Sequence, residues 1–147
     1  MKIFFLSATF VFLLDRITKY IVMLNVSTTL EILPFLNIVK SWNRGVAFGF
    51  FHNAPDFIST LFLILIPIVL VVLIVLAKKS DLRDKILYGA IFGGGLGNWL
   101  DRLVFGAVFD FIDLHIGDLH WPSFNLADLA ISVALILLLI RYVINHN

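Results

Sequence analysis

The sequence predicts an all-α membrane protein of four transmembrane helices, with a small extracytoplasmic subregion between the first and second. Three observations predict it. Hydrophobic residues make up 61% of the chain and charged residues only 14%, with a mean hydropathy of +1.01. Soluble globular domains hold roughly 45–50% apolar residues, and so few charges cannot coat a water-soluble surface of this size. Four apolar segments reach the length of a bilayer crossing, about 20 residues, and the segments between them are too polar to cross. Finally, 147 residues fit one domain, read here as a single membrane-embedded domain over 1–147.

Span one runs over about 3–24. The uncharged run Ile3 to Leu14 behind Lys2 has the form of a secretory signal peptide. However, Asp15, Arg16 and Lys19 stand where small residues would permit cleavage, and apolar character resumes from Tyr20 to Leu24. This is a span, not a leader. Residues 25–56 change character: Pro34, Pro55 and several asparagines break any long helix. Glu31-Ile32-Leu33 and Leu36-Asn37-Ile38-Val39 read as short strands around Pro34, and Phe48-Gly49-Phe50-Phe51 suits a segment lying flat at the interface. Span two, 57–77, is uncharged throughout, with Pro67 removing one backbone hydrogen bond in its middle. A short basic turn from Lys78 to Lys85 leads to span three, 86–104, which holds Gly89, Gly93, Gly94, Gly95 and Gly97. Residues 105–125 form a second extracytoplasmic loop, and span four covers 126–144.

Four spans put both termini on one side. Six of the eleven basic residues (Lys2, Lys78, Lys79, Arg83, Lys85, Arg141) fall on that side, and eight of the ten acids on the other. Basic residues in short loops favour the cytoplasm, so both termini face inward and function faces outward. A net charge of +1 without a basic stripe argues against a nucleic-acid partner. The absence of cysteine excludes disulfides, thiolate metal sites and a cysteine nucleophile. The four histidines form no metal-ligand spacing, so neither metal nor cofactor is expected.

Ionisable groups in apolar segments are expensive and need a reason. Asp15 and Lys19 stand at i, i+4 and pair on one helix face, either as a salt bridge with the lysine snorkelling to the interface or as support for chemistry at the outer face. Asn43-Arg44-Gly45 reads equally as an ordinary turn or as a loop touching substrate. The glycines of span three let another helix approach closely. Asn98, Asp101 and Arg102 share a face as polar anchors, with Asp101 and Arg102 paired or hydrogen-bonded. Asn125-Leu126-Ala127-Asp128 is a capping-box variant that explains Asp128 structurally. Asp110 has no such explanation, being a lone acid in Val108-Phe109-Asp110-Phe111-Ile112. Two carboxylates from successive elements, with no serine–histidine pair or thiolate, suggest hydrolysis by a shared proton. A small transporter or ion-conducting subunit is the rival reading, because intramembrane acids also mark proton paths.

Five stretches together resemble the lipoprotein signal peptidase (signal peptidase II, prolipoprotein signal peptidase) family of the bacterial inner membrane. They are Asp15-x-x-Thr18-Lys19, Asn43-x-Gly45-x-Ala47-Phe48, Gly94-x-x-Gly97-Asn98-x-x-Asp101-Arg102, Val108-x-Asp110-Phe111 and Phe124-Asn125-x-Ala127-Asp128. The resemblance implies a multi-pass aspartic endopeptidase of the inner membrane, its active site at the extracytoplasmic face. It would remove signal peptides from diacylglyceryl-modified prolipoproteins, cutting before the lipidated cysteine. It implies Asp110 and Asp128 as the catalytic pair, and Asp15, Lys19, Asn43, Gly94, Asn98, Asp101, Arg102 and Asn125 as supporting or substrate-binding residues. It also implies a small sheet and a short interfacial helix in the outer subregion.

Overall fold

The computed structural model of the chain describes residues 1–44 and 56–146. The interfacial helix expected around Phe48 to Phe51, and Gly45, Ala47 and Phe48 of the second motif, lie outside the described residues. Within them are four long helices, α1 (Lys2–Asn25), α2 (Asp56–Lys79), α3 (Leu82–Phe105) and α4 (Leu126–His146). Of these, α2 and α4 hold stretches, Thr60–Lys79 and Leu126–Asn145, that are long and apolar enough to cross a membrane. α1 and α3 are as long but carry the charges of the polar motifs. On α1 these are turned inward: its buried residues are Phe4, Ala8, Asp15, Lys19 and Val22, while Phe5, Leu6, Phe10, Leu13 and Ile17 are exposed. That is the reverse of a helix on a water-soluble protein, whose apolar stripe faces the core.

α3 packs against the other three helices. Its glycines make this possible: a Cβ on Gly89 or Gly93 would collide with the carbonyl oxygens of Phe4 and Ala8, and one on Gly97 would sit 2.7 Å from Asp15 Oδ2. Those three positions, four residues apart, form one face against α1. Gly94 serves α4 in the same way, its Cβ falling 2.9 Å from the Ala127 carbonyl. At the far end of the bundle Arg141 ties α4 to the start of α3, donating to Asp84 and Asp81 at 2.6 Å each.

The sheet corrects an expectation. Strands β1 (Leu30–Leu33) and β2 (Leu36–Asn43) come from the first loop as predicted, but β3 (Val108–Ile116) and β4 (Leu119–His120) come from the segment read as a plain loop. All pairs are antiparallel in the order β1-β2-β3-β4. The reason β3 was not legible is burial of both its faces. Phe109 and Phe111 pack with Val22 and Val26, while Val108 and Asp110 turn the other way into a cavity. A strand covered on both sides shows no polar–apolar alternation. Gly106, at φ 70°, caps α3 by donating to the Arg102 carbonyl at 3.0 Å and turns the chain into β3. Only glycine adopts that left-handed conformation without steric penalty, and it sets Asp110 just past the helix end.

Candidate active site

Asp110 sits in the middle of β3, paired in register with Ser41 of β2, and is 1% exposed. Its carboxylate accepts two amide hydrogen bonds, from Asn125 Nδ2 at 2.7 Å and Asn43 Nδ2 at 3.1 Å. Asp128 is the third residue of α4. The expected capping box is present: the Asp128 N–H donates to Asn125 Oδ1 at 3.0 Å, and the Asn125 N–H donates to Asp128 Oδ2 at 3.2 Å. The other Asp128 oxygen accepts from Asn98 Nδ2 at 2.8 Å. Asn125, fully buried, thus reaches both carboxyl groups: its backbone N–H donates to that of Asp128 and its NH2 to that of Asp110, while its side-chain carbonyl accepts from the Asp128 backbone N–H.

Both acids line one cavity of about 380 Å³ between α2, α3 and α4. Its polar end is formed by Asn43, Asn98, Arg102, Asp110 and Asp128. From there the walls are apolar, running along α2 from Phe62 to Leu73 and down α4 to Leu135, a depth of about 16 Å at 1.5 Å per residue. Burial and then the neighbouring Asp128 carboxylate raise Asp110 from its ordinary 3.8 to about 7, against the pull of Asn43, Asn125 and Lys19. Two carboxyl groups sharing a poorly solvated site resist being ionised together.

Behind this pair lies a network of charges. Lys19 Nζ donates to Asp101 Oδ2 at 2.7 Å and to Asn98 Oδ1 at 2.9 Å, and pairs with Asp15 Oδ2 at 2.9 Å. Arg16 bridges the same two acids, to Asp101 at 2.6 Å and Asp15 at 2.8 Å. Asp15 also accepts from the Ala127 N–H at 3.3 Å, and Asp101 from the Phe109 N–H at 3.2 Å, so the network holds the start of α4 and of β3. Because Lys19 occupies Asn98 Oδ1, the Asn98 amide presents its NH2 to Asp128.

Two sequence expectations change here. Lys19 does not snorkel outward: its side chain is 3% exposed, enclosed by two acids and an amide. The ionic partners of Asp101 are Lys19 and Arg16 rather than Arg102. Arg102 points into the cavity, donating to the Asn98 carbonyl at 3.3 Å, with its guanidinium 5.3 Å from the centre of the Phe62 ring. Gly94 packs on α4, and its neighbour Gly95 lines the cavity. The other candidate residues join in one connected set. Sequence reasoning passed over Arg16 as a member of it; the available signal was a third ionisable group within five residues of an otherwise apolar span. Phe62 had no signal, being one aromatic residue in an apolar helix.

The chain matches the family described as Signal peptidase (SPase) II over residues 7–144. It is 42% identical over 134 residues to the lipoprotein signal peptidase of Thermodesulfovibrio yellowstonii, covering 90% of this chain and 88% of that protein. The lipoprotein signal peptidase of Aquifex aeolicus is 42% identical over 137 residues, covering 92% and 82%. A solved structure described as a bacterial membrane enzyme matches with a TM-score of 0.87 at 32% identity, covering 100% of this chain and 91% of that one. Motif order, buried polar site and relatives of nearly the same length agree: the chain belongs to the signal peptidase II family.

Proposed function

We propose that the protein is an intramembrane aspartic endopeptidase that removes signal peptides from diacylglyceryl-modified prolipoproteins, cutting before the lipidated cysteine. All four helices cross the bacterial inner membrane. Both termini and the basic α2–α3 turn lie in the cytoplasm, and the sheet lies at the extracytoplasmic face. The observation that carries the reading is the pairing of Asp110 and Asp128 on one cavity whose remaining walls are apolar. A purely structural pair would have no use for a cavity, and an apolar one suits a substrate carrying lipid.

In the proposed reaction Asp110 holds the shared proton and Asp128 is ionised. Asp128 takes a proton from water while the water oxygen bonds to the scissile carbonyl carbon. Asp110 delivers its proton to the carbonyl oxygen, giving a neutral tetrahedral diol. Asp128 then protonates the leaving amide nitrogen, the C–N bond breaks, and one diol hydroxyl returns a proton to Asp110 as the new carboxyl group forms. Three features support this division. Asp128 lies in the first turn of α4, where the helix dipole favours negative charge. It also accepts a backbone N–H and an amide N–H. Asp110 is pushed up to about 7. Asn43 and Asn125 orient Asp110, Asn98 orients Asp128, and Arg102 adds positive charge to the cavity wall.

The test is cleavage by purified protein of a diacylglyceryl-modified precursor and of the same peptide without lipid. The reading requires cleavage of the first, weak or no cleavage of the second, and loss of activity in both Asp110→Asn and Asp128→Asn. Full activity in either variant would sink the dyad.

A further inference from the structure

The helix that walls the cavity of Asp110 and Asp128 has a gap in its own hydrogen bonding, and a side chain of another helix closes it. Pro67 lies inside α2. In an α-helix the N–H of residue 67 would donate to the carbonyl of residue 63. Proline has no N–H, and its ring crowds that carbonyl. Inside a bilayer a carbonyl left in this way finds no water to replace the lost donor. The Leu63 carbonyl is taken by α3 instead: Trp99 Nε1 donates to it at 3.0 Å.

The bond stands where α2 has little else to hold it. Among the described residues α2 packs mainly on α3, while Phe62, Ile66, Val69 and Leu73 turn to the cavity. Trp99 lies one turn beyond Gly95 on the same face of α3, and Gly95 faces Leu70. α3 therefore grips α2 on both sides of Pro67, by close packing at Leu70 and by the indole at Leu63. Leu63 adjoins Phe62, whose ring centre is 5.3 Å from the Arg102 guanidinium at the polar end of the cavity. Trp99 adjoins Asn98, which donates to Asp128. One hydrogen bond thus ties the wall beside the two acids to the helix that orients one of them.

Resting on the peptidase reading above, we propose that Trp99 is a positioning residue for the lipidated substrate. By supplying the donor that Pro67 withholds, it sets the α2 wall against which the substrate lies. Trp99 itself is outside the cavity lining, so it acts through Leu63 and its neighbours. Asp110 and Asp128 are held by Asn43, Asn98 and Asn125, none of them on α2. Loosening α2 therefore weakens binding and leaves the chemistry in place. An interaction made equally in the bound state and the transition state moves KM and not kcat.

The experiment is a double-mutant cycle on the full-length protein in detergent, with a diacylglyceryl-modified precursor as substrate. Trp99→Phe, Pro67→Ala and the double variant are compared with the wild type. Trp99→Phe keeps an aromatic ring and loses the donor. KM should rise about threefold to tenfold, the range for one hydrogen bond between helices in lipid, with kcat unchanged. Pro67→Ala gives α2 its own N–H for Leu63, so adding Trp99→Phe to it should raise KM by less than about twofold. A role in general packing would instead show equally in both backgrounds. An unchanged KM in Trp99→Phe, or the same rise with and without Pro67, would overturn the proposal while leaving the peptidase reading intact. If Trp99→Phe alone does not fold, Pro67→Ala should restore it, and a double variant that also failed would overturn the proposal. A wild type that cleaves no lipidated precursor would overturn the peptidase reading itself.

Discussion

Four carboxylates are gathered at one end of the helices, and the structure treats them in two ways. Asp15 and Asp101 are held by cations, with Lys19 and Arg16 each touching both. Asp110 and Asp128 are held by neutral donors: the amides of Asn43, Asn98 and Asn125 and one backbone N–H. In the first pair each acid faces two cations, and their work is to fasten α1, α3, β3 and α4 together. In the second, neutral amides orient the groups without cancelling their repulsion, which suits the shared proton of the proposed reaction. One end of a bundle thus holds a fixed frame and a titratable pair, distinguished by what donates to each acid. Asn98 joins them, accepting from Lys19 and donating to Asp128.

Neutralising each pair in turn should give opposite results. Asp110→Asn or Asp128→Asn should lower kcat for a lipidated precursor about a thousandfold, the middle of the range for losing a general acid or base, with folding stability retained or raised. Lys19→Met should act mainly on the fold. It leaves two buried acids facing one arginine, and removing one partner of a buried ion pair costs about 3–5 kcal/mol. Thermal unfolding in detergent separates the two. If Lys19→Met were as stable as the wild type and only catalysis fell, the frame would not be a frame.

The same contrast predicts a pH dependence. An unfolded Asp110 ionises near 3.8 and the folded one near 7. Between those values the folded state binds the extra proton, so stability is greatest at the acid side of the window and is lost as pH rises through about 7. Activity that needs the shared proton should fall over the same upper limb. In Asp110→Asn the contribution to the slope of unfolding midpoint against pH between 4 and 7 should disappear. A slope identical to the wild type's would place the perturbed group elsewhere.

How much of this was legible in the sequence depends on where each signal lies. α2 and α4 were legible as apolar runs of membrane length, and the capping box at Asn125 and Asp128 as a local pattern. Asp110 stood out because an acid among phenylalanines has no local excuse. β3 did not, because its cover comes from α1 on one face and the cavity on the other, neither of which is near it in sequence. Arg16 was legible only as a charge: its partner Asp101 is 85 residues away.

The smallest predicted effect tests whether the frame can be strained without touching a charge. A Cβ on Gly97 would lie 2.7 Å from Asp15 Oδ2, whereas one on Gly95, two residues away, would lie 3.2 Å from Leu70 Cδ2. The first neighbour is locked by Lys19, Arg16 and the Ala127 N–H. The second is the free end of a leucine, able to turn aside. Gly97→Ala should therefore cost about 1–3 kcal/mol, as overpacking does, and Gly95→Ala well under that, read by unfolding in detergent. Because neither substitution changes a donor or acceptor at Asp110, the upper pH limb of activity should stay in place in Gly97→Ala even as stability falls. A shifted limb would mean that the frame sets the proton balance of the pair as well as its position, and the separation of the two would need to be given up.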